Sequence, residues 1–325
     1  MAGTLSDTDV LVSEVGPRDG LQSIARAMPT YLKHRWIEAL AAAGIREIEV
    51  GSFVSPKLLP QMADAEQLVS EAIKVRGLTV LALAPNLTGA ERGIAAGVHK
   101  LSFPVSASRE HSMANIRMTP EQAIEQVRMT CELCAALPSA SRPTVEVGIS
   151  TAFGCSMEGS VSEDWVMRMA KHLVEAGAAS VGLSDTAGYA NPAQVKRMFE
   201  RLRCEIGDHA GAAHFHNTRG QGLANVVAAL DAGVRTFDAS QGGLGGCPYA
   251  PGASGNIVTE DLVFLLEAMG LRTGIDLDRL IAARAIILEG LPGEPLYGNV
   301  PTAGLPKGFV YASAARICHE PAHSS

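Results

Sequence analysis

The chain of 325 residues is 47% hydrophobic and 19% charged, ample for a sizeable core in one large domain or two small ones. Its formal net charge of −7 argues against nucleic acid and anionic membrane surfaces as partners. The first residues, Met1 to Asp7, lack the basic and apolar regions of a secretory signal. No apolar run approaches the roughly 20 residues that span a bilayer, so a soluble, cytoplasmic protein is expected.

Short β-branched runs alternate with longer helical patterns. Residues 10–15 read as a strand and 31–43 as a helix with Gly44 as its stop; 45–50 is the second strand and 63–75 the second helix. A third strand at 78–84 precedes a short helix at 88–96 ended by Gly97, and a fourth at 100–104 precedes a long helix at 119–137. The remaining pairs are 144–151 with 162–176, 180–184 with 192–204, 212–215 with 222–232, and 235–239 with 259–270. Helices recurrently close on Ala-Gly before the next strand, at Gly44, Gly97, Gly177 and Gly233.

Eight such units without a composition break predict an α/β fold, a single (β/α)8 TIM barrel over residues 1–290. The rival is a doubly wound open sheet. It wants a GxGxxG turn after the first strand, where Gly16-Pro-Arg-Asp-Gly20 stands instead. From Leu291 the chain turns rich in proline and glycine, and 291–325 is expected to be an extension lying over the barrel rather than a second domain.

Six cysteines, at 131, 134, 155, 204, 247 and 318, are too few for a disulfide array. Cys131 and Cys134 form a CxxC inside a predicted helix, with no second pair to complete a zinc site; buried free thiols are the expectation. Cys247 is different. It lies in residues 242–256, a stretch with six glycines that suits neither helix nor strand interior and reads as a loop after the eighth strand.

In a barrel of this kind the site lies at the C-terminal ends of the strands. Arg18 and Asp19 follow strand one, Glu49 ends strand two, Asp185 follows strand six, His214 and His216 end strand seven, and Cys247 and Asn256 follow strand eight. His214 and His216, two apart on a strand, share a face. With Asp19 and Asn256 they make a thiolate-free N/O donor set that suits Mg²⁺ or Mn²⁺ better than Zn²⁺ or Co²⁺. The competing reading is a hydrogen-bonded histidine pair in a polar core. Arg18, always charged, is suited to stabilising an enolate or thioester oxyanion, or else to a structural ion pair with Glu49 or Asp185. Cys247 is a candidate proton donor or acceptor. Glu49 either orients Arg18 or closes the core. Asp185 is a helix N-cap, an acceptor behind a metal ligand, or a catalytic carboxylate.

These residues carry a resemblance to the 3-hydroxy-3-methylglutaryl-CoA lyase family. Glu14-Val-Gly-Pro-Arg-Asp-Gly-Leu-Gln22 resembles its first-strand motif, and Ser52-Phe-Val-Ser-Pro-Lys57 with Pro60-Gln-Met62 its second loop. Gly243-Leu-Gly-Gly-Cys-Pro-Tyr249 with Gly252-Ala-Ser-Gly-Asn256 resembles its cysteine loop, and Thr259-Glu-Asp-Leu262 the continuation of that loop. The likeness runs from about Val10 to about Leu288. It implies a (β/α)8 barrel that cleaves a tertiary β-hydroxyacyl-CoA into acetyl-CoA and a ketoacid. By the same resemblance Asp19, His214, His216 and Asn256 hold the divalent cation, Arg18 stabilises the enolate, Cys247 transfers a proton, and Glu49 and Asp185 stand where the family has functional acids. An acyl-CoA is the expected partner, and the chain is expected to form a homodimer or higher homo-oligomer.

The sequence departs from the family pattern at Asn217, where an Asp is usual, at Gly51, where a small hydroxyl residue is usual, and in its ending from Pro295 to Phe309. Three rival functions compete with the lyase reading. One is a relative such as a citramalyl-CoA lyase. Another is a Claisen condensing synthase of the isopropylmalate type, which usually carries a further C-terminal domain. The third is a non-catalytic barrel that binds a metal or an acyl-CoA. Lys57 and Lys307 are candidates to meet CoA phosphates by charge and loop position.

Overall fold

The computed structural model describes residues 8–245 and 255–317, without side-chain detail for 315–317. Eight parallel strands close into a barrel in sequence order. They are β1 (Leu11–Glu14), β2 (Glu47–Ser52), β3 (Thr79–Leu83), β4 (Lys100–Ser106), β5 (Thr144–Ser150), β6 (Ser180–Asp185), β7 (Ala210–Phe215) and β8 (Thr236–Ala239). Closure is by β8 against β1, in register from Leu11 opposite Thr236 to Glu14 opposite Ala239.

The helices between them are α1 (Thr30–Ala42), α2 (Ala65–Ala72), α3 (Leu87–Ala96), α4 (Arg109–Ile116), α5 (Pro120–Ala135), α6 (Glu163–Glu175), α7 (Pro192–Ile206) and α8 (Gly222–Asp231). After β8 come α9 (Thr259–Ala268), α10 (Leu277–Gly290), and the short α11 (Val300–Ala303) and α12 (Ala312–Ile317). Local chemistry sets many of the boundaries. Asn86, Ser108, Ser162, Asn191 and Asp276 each accept from the backbone N–H three residues on, and Thr119 with Gln122 forms a full capping box. Gly97 ends α3 at φ 88°, a conformation that L side chains rarely adopt.

Two helices depart from the sequence expectation. α4 lies in a stretch to which the sequence reading assigns no element; it buries only His111 and Ser112 and shows no apolar stripe. α10 is a second helix after β8. It buries Leu277, Leu280, Ala283 and Ile287, and its Gly290 end packs on Met28 and Leu32, which brings it beside α1.

The core fills the layer between barrel and helices, with Trp36, Ile37, Leu40, Leu101, Phe199, Phe215 and Phe237 fully buried. Inside the barrel near its N-terminal end, the half-buried Lys100 bridges Glu47 at 2.7 Å and Glu146 at 2.8 Å, so the buried Glu47 carboxylate is paired. Polar and charged lumen groups toward the other end are held differently, and they make the site. Among the described residues no helix is long and apolar enough to cross a membrane.

Candidate active site and metal centre

The backbone leaves β1 in a single wide turn, Gly16–Gly20, in which the Val15 carbonyl accepts from the N–H groups of Arg18, Asp19 and Gly20. Gly16 permits it: a Cβ there would lie 2.9 Å from Trp36 and 3.1 Å from the Ser240 hydroxyl. The turn places Arg18 and Asp19 over the barrel mouth. Arg18 donates from Nε to Glu49 Oε2 at 2.5 Å and from Nη1 to Asp19 Oδ1 at 2.6 Å, while Nη2 also pairs with Glu49. The other Glu49 oxygen accepts from the Ser102 hydroxyl. Glu49 thus contacts two nitrogens of the guanidinium. Burial raises the Glu49 carboxyl pKa, with Arg18 and Ser102 opposing.

Asp19 is shared between this ion pair and the far side of the mouth. Its Oδ2 accepts from Asn256 Nδ2 at 2.7 Å and lies 4.0 Å from His214 Nε2. Burial works to raise its pKa, but Arg18, then His214 and His216, outweigh it and hold the carboxyl at about 2. His214 and His216 turn their Nε2 atoms to each other at 3.0 Å. Burial, reinforced by His214, lowers His216 to about 4, so its ring is neutral at physiological pH.

Asn256 reaches this cluster by strand-like pairing. Residues 255–258 insert between the ends of β7 and β8: Asn256 bridges His216, Ile257 N–H donates to the Phe215 carbonyl, and Ser240 N–H donates to the Ile257 carbonyl. The Asn256 amide also donates to the Leu244 carbonyl at 3.1 Å.

The donors fit a cation. Asp19, His214 and His216 bring ligand atoms within 4.8 Å of one another, the one such cluster found among the described residues. The Asn256 carbonyl oxygen is buried with no hydrogen-bond partner, an unusual cost for a native side chain unless something positive meets it. Two imidazoles, a carboxylate and an amide oxygen, without a thiolate, suit a hard or intermediate divalent ion.

Asp185 interacts electrostatically with His214, but its hydrogen bonds go elsewhere. Its register partner is Phe215, which packs in the core, and its two oxygens accept from the N–H groups of Tyr189 at 2.8 Å and Ala190 at 3.1 Å. It ties down the loop after β6, while Asn191 is the residue that caps α7. Burial pushes its carboxyl up to about 6, with those two amides opposing. Lys57 and Lys307 are exposed on loops. Cys247 lies outside the described residues. Cys134 is buried, and burial pushes the Cys131 thiol up to about 12, so neither is disposed to ionise at neutral pH.

Sequence reasoning missed two participants. Asp238 accepts from His214 Nδ1 at 3.1 Å; the signal was its register position on β8, beside the first histidine of the pair. Glu14 is fully buried at the end of β1 and accepts from Gly16 N–H, Gln241 N–H and the Thr259 hydroxyl, tying the β1 turn to the segment after β8.

The fold and site together define a closed (β/α)8 barrel with an Arg–Asp turn after β1, a histidine pair at the end of β7 and a donor set at its mouth that could hold a metal ion. Residues 9–287 match the HMGL-like family. The chain is 39% identical over 287 residues to hydroxymethylglutaryl-CoA lyase YngG of Bacillus subtilis, covering 88% of this chain and 94% of that protein. It is 41% identical over 269 residues to hydroxymethylglutaryl-CoA lyase of Pseudomonas mevalonii, covering 83% and 88%. An HMG-CoA lyase of A. baumannii, solved with coenzyme A and 3-methylmalate, superposes with a TM-score of 0.86 at 40% identity, over 95% of this chain and 99% of that one. The chain belongs to the HMGL-like family, as its sequence motifs suggested.

Proposed function

We propose that this protein is a cytoplasmic carbon–carbon lyase, dependent on Mg²⁺ or Mn²⁺, that cleaves 3-hydroxy-3-methylglutaryl-CoA into acetyl-CoA and acetoacetate. The observation that carries it is the convergence of His214 Nε2, His216 Nε2 and Asp19 beside an Arg18 guanidinium held by Glu49. The relatives carry hydroxymethylglutaryl-CoA in their names, which favours this ester over citramalyl-CoA and favours cleavage over condensation or binding alone. The coenzyme A complex of the A. baumannii enzyme supports an acyl-CoA substrate.

The cation, held by Asp19, His214, His216 and Asn256, would lower the pKa of the tertiary hydroxyl and favour its ionised form, the released proton passing to water. Collapse of the alkoxide to a ketone breaks the adjacent carbon–carbon bond, and its electron pair passes to the thioester as an enolate. Arg18 stabilises that enolate oxygen. Of its five N–H donors three are engaged with Glu49 and Asp19, which leaves one on each terminal nitrogen for the substrate. Glu49 and Asp19 fix the guanidinium plane, so the donors need no reorientation during the reaction. By its place in the glycine-rich sequence 242–256, Cys247 gives the proton that turns the enolate into acetyl-CoA.

His216→Ala tests the site. The variant keeps the far-UV spectrum of the parent and loses both divalent-cation binding and lyase activity. Retention of tight cation binding would refute this assignment.

A further inference from the structure

The C-terminal extension crosses the segment that presents Asn256 and holds both its limbs. On the first limb, both backbone polar groups of Gly242 are taken. Its N–H donates to Glu260 Oε2 at 3.1 Å, and its carbonyl accepts from Tyr297 N–H at 2.8 Å. Arg284 closes the ring, donating to Glu260 Oε1 at 2.7 Å and to the Tyr297 carbonyl at 2.9 Å. Gly242 has φ 68°, and a Cβ there would lie 2.9 Å from Leu296 Cδ2, so Leu296 packs directly on this turn.

On the second limb, Gly298 lies against Val258: a Cβ on Gly298 would stand 3.1 Å from Val258 Cγ1. The other methyl, Val258 Cγ2, would stand 3.0 Å from a Cβ on Gly243, so Val258 links the two limbs. Asn299 and Val300 N–H groups then anchor the crossing to Asp261, in the first turn of α9, at 2.9 Å and 2.8 Å.

We infer that Leu296 and Tyr297 are positioning residues for the metal centre. They fix Gly242–Leu244, and through the Leu244 carbonyl they set the side-chain amide of Asn256, so that its unpartnered oxygen is presented to the cation. The inference rests on the metal reading of Asp19, His214, His216 and Asn256 given above. Two observations carry it: the orphaned Asn256 oxygen, and the hydrogen bond from the same amide to Leu244, the residue next to the clamped glycines. Leu296 and Tyr297 touch no reacting atom in this scheme; they act through the Asn256 amide.

The test is Mn²⁺ titration of the full-length protein, followed by electron paramagnetic resonance, for wild type, Leu296→Ala, Leu296→Met and Tyr297→Pro, the last removing the N–H donated to Gly242. Asn256→Ala is measured alone and combined with Leu296→Ala. Leu296→Ala weakens Mn²⁺ binding by about tenfold, as loss of an outer supporting contact does. Leu296→Met recovers most of that loss, and the double variant binds no more weakly than Asn256→Ala alone, because both changes act through one amide. Circular dichroism and melting are recorded for each, and Leu296→Ala decides the matter if Tyr297→Pro does not fold. Folded Leu296→Ala with wild-type Mn²⁺ affinity, or losses that add in the double variant, would overturn the inference and leave the lyase reading intact. Absence of Mn²⁺ binding by the wild type would remove the metal reading itself, and this inference with it.

Discussion

His214 Nδ1 lies 3.1 Å from Asp238 Oδ2, and the two residues are register partners on β7 and β8. The carboxylate selects the tautomer. With the proton on Nδ1, the His214 Nε2 lone pair points at His216 Nε2 and toward Asp19, where a cation would meet it. Asp238→Asn keeps the shape of the contact but lets the amide meet either tautomer. Divalent-cation affinity of that variant should fall by about 10- to 100-fold, read by calorimetric titration with Mn²⁺.

Arg18 is held by a fork that a lysine cannot reproduce. Arg18→Lys should therefore lower kcat by roughly 10²–10³ and change KM little, because the lost donors act on charge that develops only as the bond breaks. A drop confined to KM in steady-state assays would place Arg18 in ground-state binding instead.

Glu14 gives a pH signature. Burial raises its pKa from 4.5 to about 8, against the opposing hydrogen bonds from Thr259, Gln241 and Gly16. In the folded state it binds its proton more tightly than in the unfolded chain, so its contribution favours folding at low pH and is lost as pH rises from about 4.5 to about 8. Glu14→Gln should flatten the fall in stability over that window relative to wild type, measured by urea unfolding of the metal-free protein at a series of pH values. Parallel profiles for the two proteins would show that Glu14 is ionised throughout.

Cys247→Ser should bind substrate normally and turn over roughly two to four decades more slowly, the range for removing a proton-transfer group. Alkylation should inactivate the wild type, with substrate protecting. Wild-type turnover in the serine variant would make the thiol structural.

The architecture was legible because its signals are periodic. Helix–strand alternation and the Ala-Gly endings at Gly44, Gly97, Gly177 and Gly233 are local, and eight repetitions leave few topologies. α4 escaped because a helix that buries only His111 and Ser112 has no stripe to find. α10 has such a stripe, but eight units leave no place for a further helix, and its position depends on α1, far away in the chain. Within the site, His214, His216, Arg18 and Asp19 stood out because each sits at a predicted strand end. Asp238 and Glu14 did not, since a lone acid in a strand acquires meaning only from its neighbour across the sheet or in a distant loop. Sequence alone allows Glu49 two roles; the structure adds its ion pair with Arg18, a contact between strands that sequence does not show.

The central claim stands most directly on one measurement: products released from 3-hydroxy-3-methylglutaryl-CoA by protein treated with chelator, then resupplied with Mg²⁺ or Mn²⁺, with citramalyl-CoA run in parallel. Acetyl-CoA and acetoacetate should appear in equal amounts only after the cation is restored. The specificity constant for citramalyl-CoA should be well below that for the first ester, since moving the far carboxylate by one bond, about 1.5 Å, is enough to cost about a hundredfold. Full cleavage in chelator, or pyruvate formed from citramalyl-CoA at a higher specificity constant, would contradict the claim.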